Sequence, residues 1–356
     1  MAPSPADPSR SRTAISRRAL LGGGLAGAAA FATPRLFQAV AAPSGVDMTL
    51  IAEAVTKTLI DGVEVDVWQL RDAAGSALGA VPSILVLEEG QSFTVEVSNQ
   101  LPEPIDLLIP GVDIGPAAWI PAASSRQISF TAPTAGSYFA HGITQPDPDG
   151  EVARAMGLAT PIVVHPAGGG ATFSTGGPSY DRDYTLFLQE LDDRLNAAVT
   201  LSGSSAYAMA NYEPNYFFVN GLSVPATRSD RDTRLSNRLG DDVAVRLING
   251  GQITYPMHFH GYHVDVIQRR AAGGTMQPET TVVEKDTVAL GLGASADVRL
   301  PISQAGMFPM HTHYVPGVTA NGTYVNPYGG GIVMMVTDIV FDDGFESGDT
   351  TEWSSS

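Results

Sequence analysis

The chain has 356 residues, of which 44% are hydrophobic and 16% charged. That is a globular composition on a length that exceeds one ordinary core, so two domains are expected. The formal charge is −17, with 37 acidic residues against 20 basic ones, and no basic cluster lies beyond the N-terminus, which argues against nucleic acid as a partner. The absence of cysteine excludes disulfides, thiolate nucleophiles, cysteine-bound zinc and thiolate-ligated blue copper.

The first 41 residues read as an export signal. Arg17 and Arg18 precede an apolar run from Ala19 to Ala32, and small residues follow at Ala39 and Ala41. Ser16 before the arginine pair and Leu20-Leu21 after it resemble a twin-arginine signal, a route for folded cargo. The expected location is periplasmic or secreted. No later apolar run approaches the ~18–20 residues that a membrane span needs.

Short strands follow. "SILVLEEGQSFTVEVSNQL" (Ser83 to Leu101) contains the alternation "FTVEV", bounded by Gly and Asn, as a half-buried strand requires. "RQISFTAPTAGSYFAHGI" (Arg126 to Ile143) predicts two strands around a Pro/Gly turn, and "ATPIVVHP" (Ala159 to Pro166) another. Residues 42–168 are read as one domain and 169–182, within a Gly/Ser-rich stretch, as a linker. Residues 183–340 form a second set of strands, including "DYTLFLQEL", "DDVAVRLING", "MHFHGYHVDVIQR" and "GGGIVMMVTDIVF". The carboxylates of "QELDD" (Gln189 to Asp193) read as a solvated turn, and "QPDPDGE" (Gln145 to Glu151) as an exposed loop rather than a calcium site. No helix longer than two or three turns is expected. The halves repeat: "GQSFTVEVSNQL" echoes "GDDVAVRLINGG", "AGSYFAHG" echoes "AGMFPMHTH", and "ATPIVVHP" echoes "GGGIVMMV". The acidic tail 341–356 is read as a flexible end, with a sorting or processing role as the alternative.

Three of the seven histidines fall in "YPMHFHGYHV" and two more in "PMHTHY". Residues i and i+2 of a strand share a face, so His258 projects with His260 and His311 with His313. Two adjacent strands carrying such pairs would gather four imidazoles, a donor set for copper or zinc. His263 faces the other way on a continuing strand and reads as structural, as does His165 at a strand end. The sequence has no Gly-x-Ser-x-Gly, phosphate loop or His-Glu-x-x-His.

"RLINGGQITYPMHFHGYHV" and "AGMFPMHTHYVPG" resemble the last domain of multicopper oxidases, the laccase and cupredoxin group. "AGSYFAHGITQPDPDGEVARAMGLATPIVV" resembles the second histidine pair of that family's first domain, and at low identity the resemblance runs from about Leu50 to Val340. It implies an all-β chain of two Greek-key, cupredoxin-like β-sandwich or barrel domains. It aligns His258 with the type 2 copper ligand and His260, His311 and His313 with type 3 ligands. It places Tyr255 at the first type 1 histidine and Thr312 at the type 1 cysteine. In the first domain "LLIPG" (Leu107 to Gly111) has lost both ligands, while His141 is kept and Ile143 stands at its partner's position. The metal ligands expected are thus His258, His260, His311, His313 and His141, holding one copper ion, or two, with zinc the less favoured metal. Met257 and Met310 alternate with the histidines and are expected, like Met307, to fill the core at the lost type 1 site.

The leading expectation is an exported copper-dependent oxidoreductase with a type 2-like centre and no blue copper, using a small-molecule reductant or dioxygen. A non-catalytic copper-binding or structural cupredoxin is the first alternative, and a zinc-dependent hydrolase on the same scaffold the second. The resemblance to two-domain members implies a homotrimer in which His141 of one chain meets the C-terminal pairs of its neighbour, with a monomer whose first domain folds against its second as the alternative.

Overall fold

The computed structural model describes residues 45–75, 82–325 and 329–338. The expected export signal and the acidic tail lie outside the described residues. The first half runs β1 (Met48–Thr58), β2 (Glu64–Asp72), β3 (Leu85–Glu88), β4 (Ser92–Asn99), β5 (Ile105–Leu108), β6 (Ser124–Thr131), β7 (Gly136–Thr144), helix α1 (Glu151–Ala155) and β8 (Ala159–His165). The second runs β9 (Arg182–Leu191), α2 (Asp193–Ser202), β10 (Tyr216–Val219), β11 (Leu235–Asn237), β12 (Asp242–Asn249) and β13 (Tyr255–Phe259). It continues through β14 (Val264–Arg270), β15 (Gln277–Lys285), β16 (Thr287–Leu290), β17 (Ser295–Pro301), β18 (Met307–Thr312) and β19 (Val333–Asp338).

Each half is a pair of facing sheets. The orders are β2-β1-β4-β6 and β3-β8-β7-β5 in the first half, and β10-β9-β12-β17-β14-β15 and β11-β19-β18-β13-β16 in the second. The echoes in sequence are echoes in topology. β1 runs parallel to β4 as β9 does to β12, and β3 parallel to β8 as β11 does to β19, while the other pairs are antiparallel. β4 alternates strictly between core and surface, since one face packs inward and the other meets water. β7 is buried at all of its positions because the second half covers its outer face. Leu50, Val97, Tyr138 and Ile162 belong to the first core, and Leu186, Val245, Met257 and Met310 to the second.

The halves join through a buried polar knot. The Arg246 guanidinium is fully buried and lies 3.2 Å from carboxylate oxygens of both Asp183 and Asp297. Asp297 also accepts from Gln268 Nε2 at 2.7 Å and from the Ser137 hydroxyl across the seam. The Ser295 hydroxyl donates to the Ser137 carbonyl at 2.6 Å, and Arg270 donates to that same oxygen. A buried charge is tolerated only when paired and hydrogen-bonded in this way.

Three expectations are corrected. Glu190 and Asp192 are buried rather than solvated. Asp192 caps α2 through Arg194 N and accepts from Tyr207 Oη at 2.9 Å. Asp147 of the presumed exposed loop is buried and accepts from Glu151 N and Ala153 N, both at 3.0 Å, which anchors the first turn of α1. The stretch read as a linker contributes Phe173 and Tyr180 to a small core with Ala244.

Candidate metal centre

β13 and β18 are antiparallel neighbours, with His258 directly opposite His311. The pairing extends past both strand ends, where His260 N donates to the Pro309 carbonyl at 3.1 Å and His313 N to the Pro256 carbonyl at 2.7 Å. All four imidazoles therefore leave one face of the sheet. The opposite face carries Tyr255, Met257, Phe259, Met310 and Thr312, all buried. Met257 and Met310 fill the core as expected, whereas Met307 is 58% exposed. Gly261 ends the first strand at φ 73°, where a Cβ would sit 2.7 Å from the Phe308 ring. That close approach explains a glycine directly after His260.

The ring centroids of His258 lie 4.7 Å from His260, 5.8 Å from His311 and 4.5 Å from His313. Those of His311 lie 5.0 Å from His260 and 5.4 Å from His313. Imidazoles sharing one ion at bonds of ~2.0 Å have centroids roughly 4.5–5 Å apart, a spacing met by His258 with His260 and with His313 and by His260 with His311, while His311 stands wider from His258 and His313. His260 Nε2 and His311 Nε2 are 2.9 Å apart, the separation of two donors on one ion. Among the described residues no three His, Asp or Glu side chains are already closed around one point.

The outer nitrogens fix the tautomers. His258 Nδ1 lies 3.0 Å from both the Asp286 carbonyl and Thr287 Oγ1, and His311 Nδ1 lies 2.9 Å from the Thr312 carbonyl. A carbonyl only accepts, so both Nδ1 atoms carry the proton, and in the neutral ring the lone pair is then left on Nε2. Burial together with His311, His258 and His313 holds the His260 pKa below the ordinary histidine value. A neutral imidazole is the form a metal requires.

The structure does not bring His141 to this group. It lies on β7 opposite Leu108, is 2% exposed, and stacks on Phe139 with centroids 5.6 Å apart. Its Nδ1 is 3.0 Å from the Gly142 carbonyl, and desolvation lowers its pKa to about 4. Enclosed within its own chain, it is no more accessible to a neighbouring subunit than to the four converging rings. His263 is exposed in the turn after β13.

Sequence reasoning missed a carboxylate behind the site. Glu190 is fully enclosed and accepts from the Tyr255 hydroxyl and from Gln252 N. Burial raises its pKa and raises that of Tyr255 well above the usual tyrosine range. Thr312 beside it packs on Gly317, where a Cβ would lie 2.6 Å from the threonine methyl. Only the unbroken run of apolar neighbours around "QEL" hinted that Glu190 points inward.

The multicopper oxidase family pattern matches residues 198–326, which contain all four converging histidines. Among solved structures, the chain resembles a blue copper oxidase from Nitrosomonas europaea at 20% identity, over 82% of this chain and 85% of that one, with a TM-score of 0.64. It resembles the multicopper oxidase mgLAC at 22% identity, over 84% and 88%, with a TM-score of 0.65. It also resembles a copper nitrite reductase from Nitrosomonas europaea at 17% identity, over 81% and 93%, with a TM-score of 0.59. Comparison with curated protein sequences gives no match. The match to the multicopper oxidase family is thus confined to residues 198–326, and the fold of the chain is the cupredoxin-like fold of those oxidases.

Proposed function

We propose that this is an exported copper-binding oxidoreductase with one type 2-like copper on His258, His260, His311 and His313 and no blue copper. The observation that carries this reading is the gathering of four imidazoles on one sheet face, with two Nε2 atoms 2.9 Å apart. Copper bound there would supply one-electron exchange and a position for a small molecule such as dioxygen. The protein's own groups supply the rest. Asp286 and Thr287 hold the His258 ring, the Thr312 carbonyl holds that of His311, and the buried back of the sheet keeps the strands in register. A thiolate site is excluded by the absence of cysteine. By the resemblance Tyr255 and Thr312 stand where its ligands would be, and both are buried. We further propose a homotrimer that covers the four-histidine face, with His141 taking no part as a ligand.

Protein purified without chelators should carry near one copper per chain, with a type 2 paramagnetic resonance signal and no intense absorption near ~600 nm, the band of copper–thiolate bonding. Oxidation of a phenol by dioxygen, or reduction of nitrite, that stops in the His258→Ala variant would establish an enzyme. Copper occupancy without turnover would leave a binding protein. Zinc occupancy would favour the hydrolase, and sedimentation reads the assembly.

A further inference from the structure

The chain has only two lysines, Lys57 and Lys285. Lys285 is exposed at the end of β15. Lys57, near the end of β1, instead reaches across the seam between the halves. Its ammonium donates to the Gly221 carbonyl at 2.7 Å and lies 4.9 Å from the centroid of the Phe218 ring. The turn that receives it is held by Asn220, whose side chain accepts from Phe187 N and donates to the Thr185 carbonyl, each at 2.8 Å.

No carboxylate pairs with Lys57 among the described residues, and desolvation alone lowers its pKa to about 8. A neighbouring anion would push it the other way. Elsewhere the chain pairs its cations readily, with Arg71 on Glu53, Arg182 on Asp241 and Arg299 on Asp265. The unpaired ammonium opens onto a cleft of about 390 Å³, whose walls include Leu59, Ile60, Phe218, Leu222 and Val224. Behind it a narrower recess of about 40 Å³ runs between Val67, Leu70 and Met156. The larger volume is that of a small-molecule site: mostly apolar walls with one charged group, Lys57, and the hydroxyl residues Thr58, Ser223 and Ser229 to orient the ligand.

We propose that this cleft binds a small amphiphilic carboxylate, the carboxylate group on the Lys57 ammonium and the apolar body along Leu59, Ile60, Leu222 and Val224. The pairing would relieve a cation that has lost water and gained no counter-charge. The site shares no lining residue with the histidine face and needs no metal.

The two-lysine composition makes the test direct. Reductive methylation of the full chain with ¹³C-formaldehyde labels Lys57, Lys285 and the N-terminus and keeps their charges. The Lys57 signal is the one that Lys57→Arg removes. Octanoate should shift that signal saturably and raise its titration midpoint from about 8, leaving the Lys285 signal in place. Calorimetry on unmodified protein should show octanoate binding at least ~10-fold more tightly than 1-octanol, and a loss of at least ~10-fold in Lys57→Met, whose melting temperature checks its fold. A Lys57 signal indifferent to octanoate, an equal response at Lys285, or octanol binding as tightly as octanoate would each overturn the proposal.

Discussion

The same pair of strands occurs in both halves and does opposite work. In the second half β13 and β18 place His258 opposite His311 on an open face. In the first half β5 and β7 place Leu108 opposite His141 in the corresponding register, and the face is closed. Gly111 stands where Gly261 stands in the repeat, with φ 85° against 73°, and a Cβ on it would collide with the Gly274 carbonyl of the second half. Beside His141, Phe139 packs against Phe187 and Ile248 across the seam. A duplicated scaffold has thus divided its labour. One copy uses the face to join the halves, and in the other the face stays open and carries the four histidines of the proposed copper site.

The largest way to break this contrast is to attack the seam. Asp297→Ala leaves Arg246 with Asp183 as its remaining carboxylate, and should cost about 3–5 kcal/mol, read as a lower melting temperature in calorimetry. Next is the enclosed histidine. The unfolded chain takes up a proton near pH 6.5, but the native His141 resists until about pH 4. Its contribution to stability is therefore complete above pH 6.5 and falls by about 3 kcal/mol as pH drops to 4. The difference between wild type and His141→Gln in urea unfolding at pH 7.5, 5 and 4 should shrink accordingly, and a constant difference would contradict the enclosed, neutral ring.

A sharper contrast comes from metal binding. His311→Ala should weaken copper affinity by at least ~100-fold, whereas His141→Ala should leave copper stoichiometry unchanged, both read by titration calorimetry and metal analysis. If the two variants lost copper alike, the division of labour would be wrong. The smallest effect is expected at Thr287→Val, which removes one of two acceptors behind His258 and should weaken copper by ~10-fold or less in the same titration.

Much of this was legible because strands announce themselves with period two. "FTVEV" alternates in sequence and in burial, and His258 and His260 share a face for the same reason. The repeats could be matched by eye because β4 and β12, β7 and β18, and β8 and β19 keep their turns. What stayed hidden depends on contacts between distant segments. The enclosure of His141 is decided by Phe139 and by the second half, not by its own strand. Glu190 and Asp297 look like surface acids until Tyr255 and Arg246 are set beside them, and Phe173 sits in a Gly/Ser-rich run that reads as solvent.

The knot of Ser137, Asp297 and Arg246 carries a further consequence. Because Ser137 of the first sandwich bonds Asp297 and Ser295 of the second and all three are withdrawn from water, neither sandwich can lose its packing without leaving buried polar groups of the other unpaired. On heating, the two should melt as a single cooperative event, and stripping any copper held by the proposed site should lower the temperature of that event without splitting it.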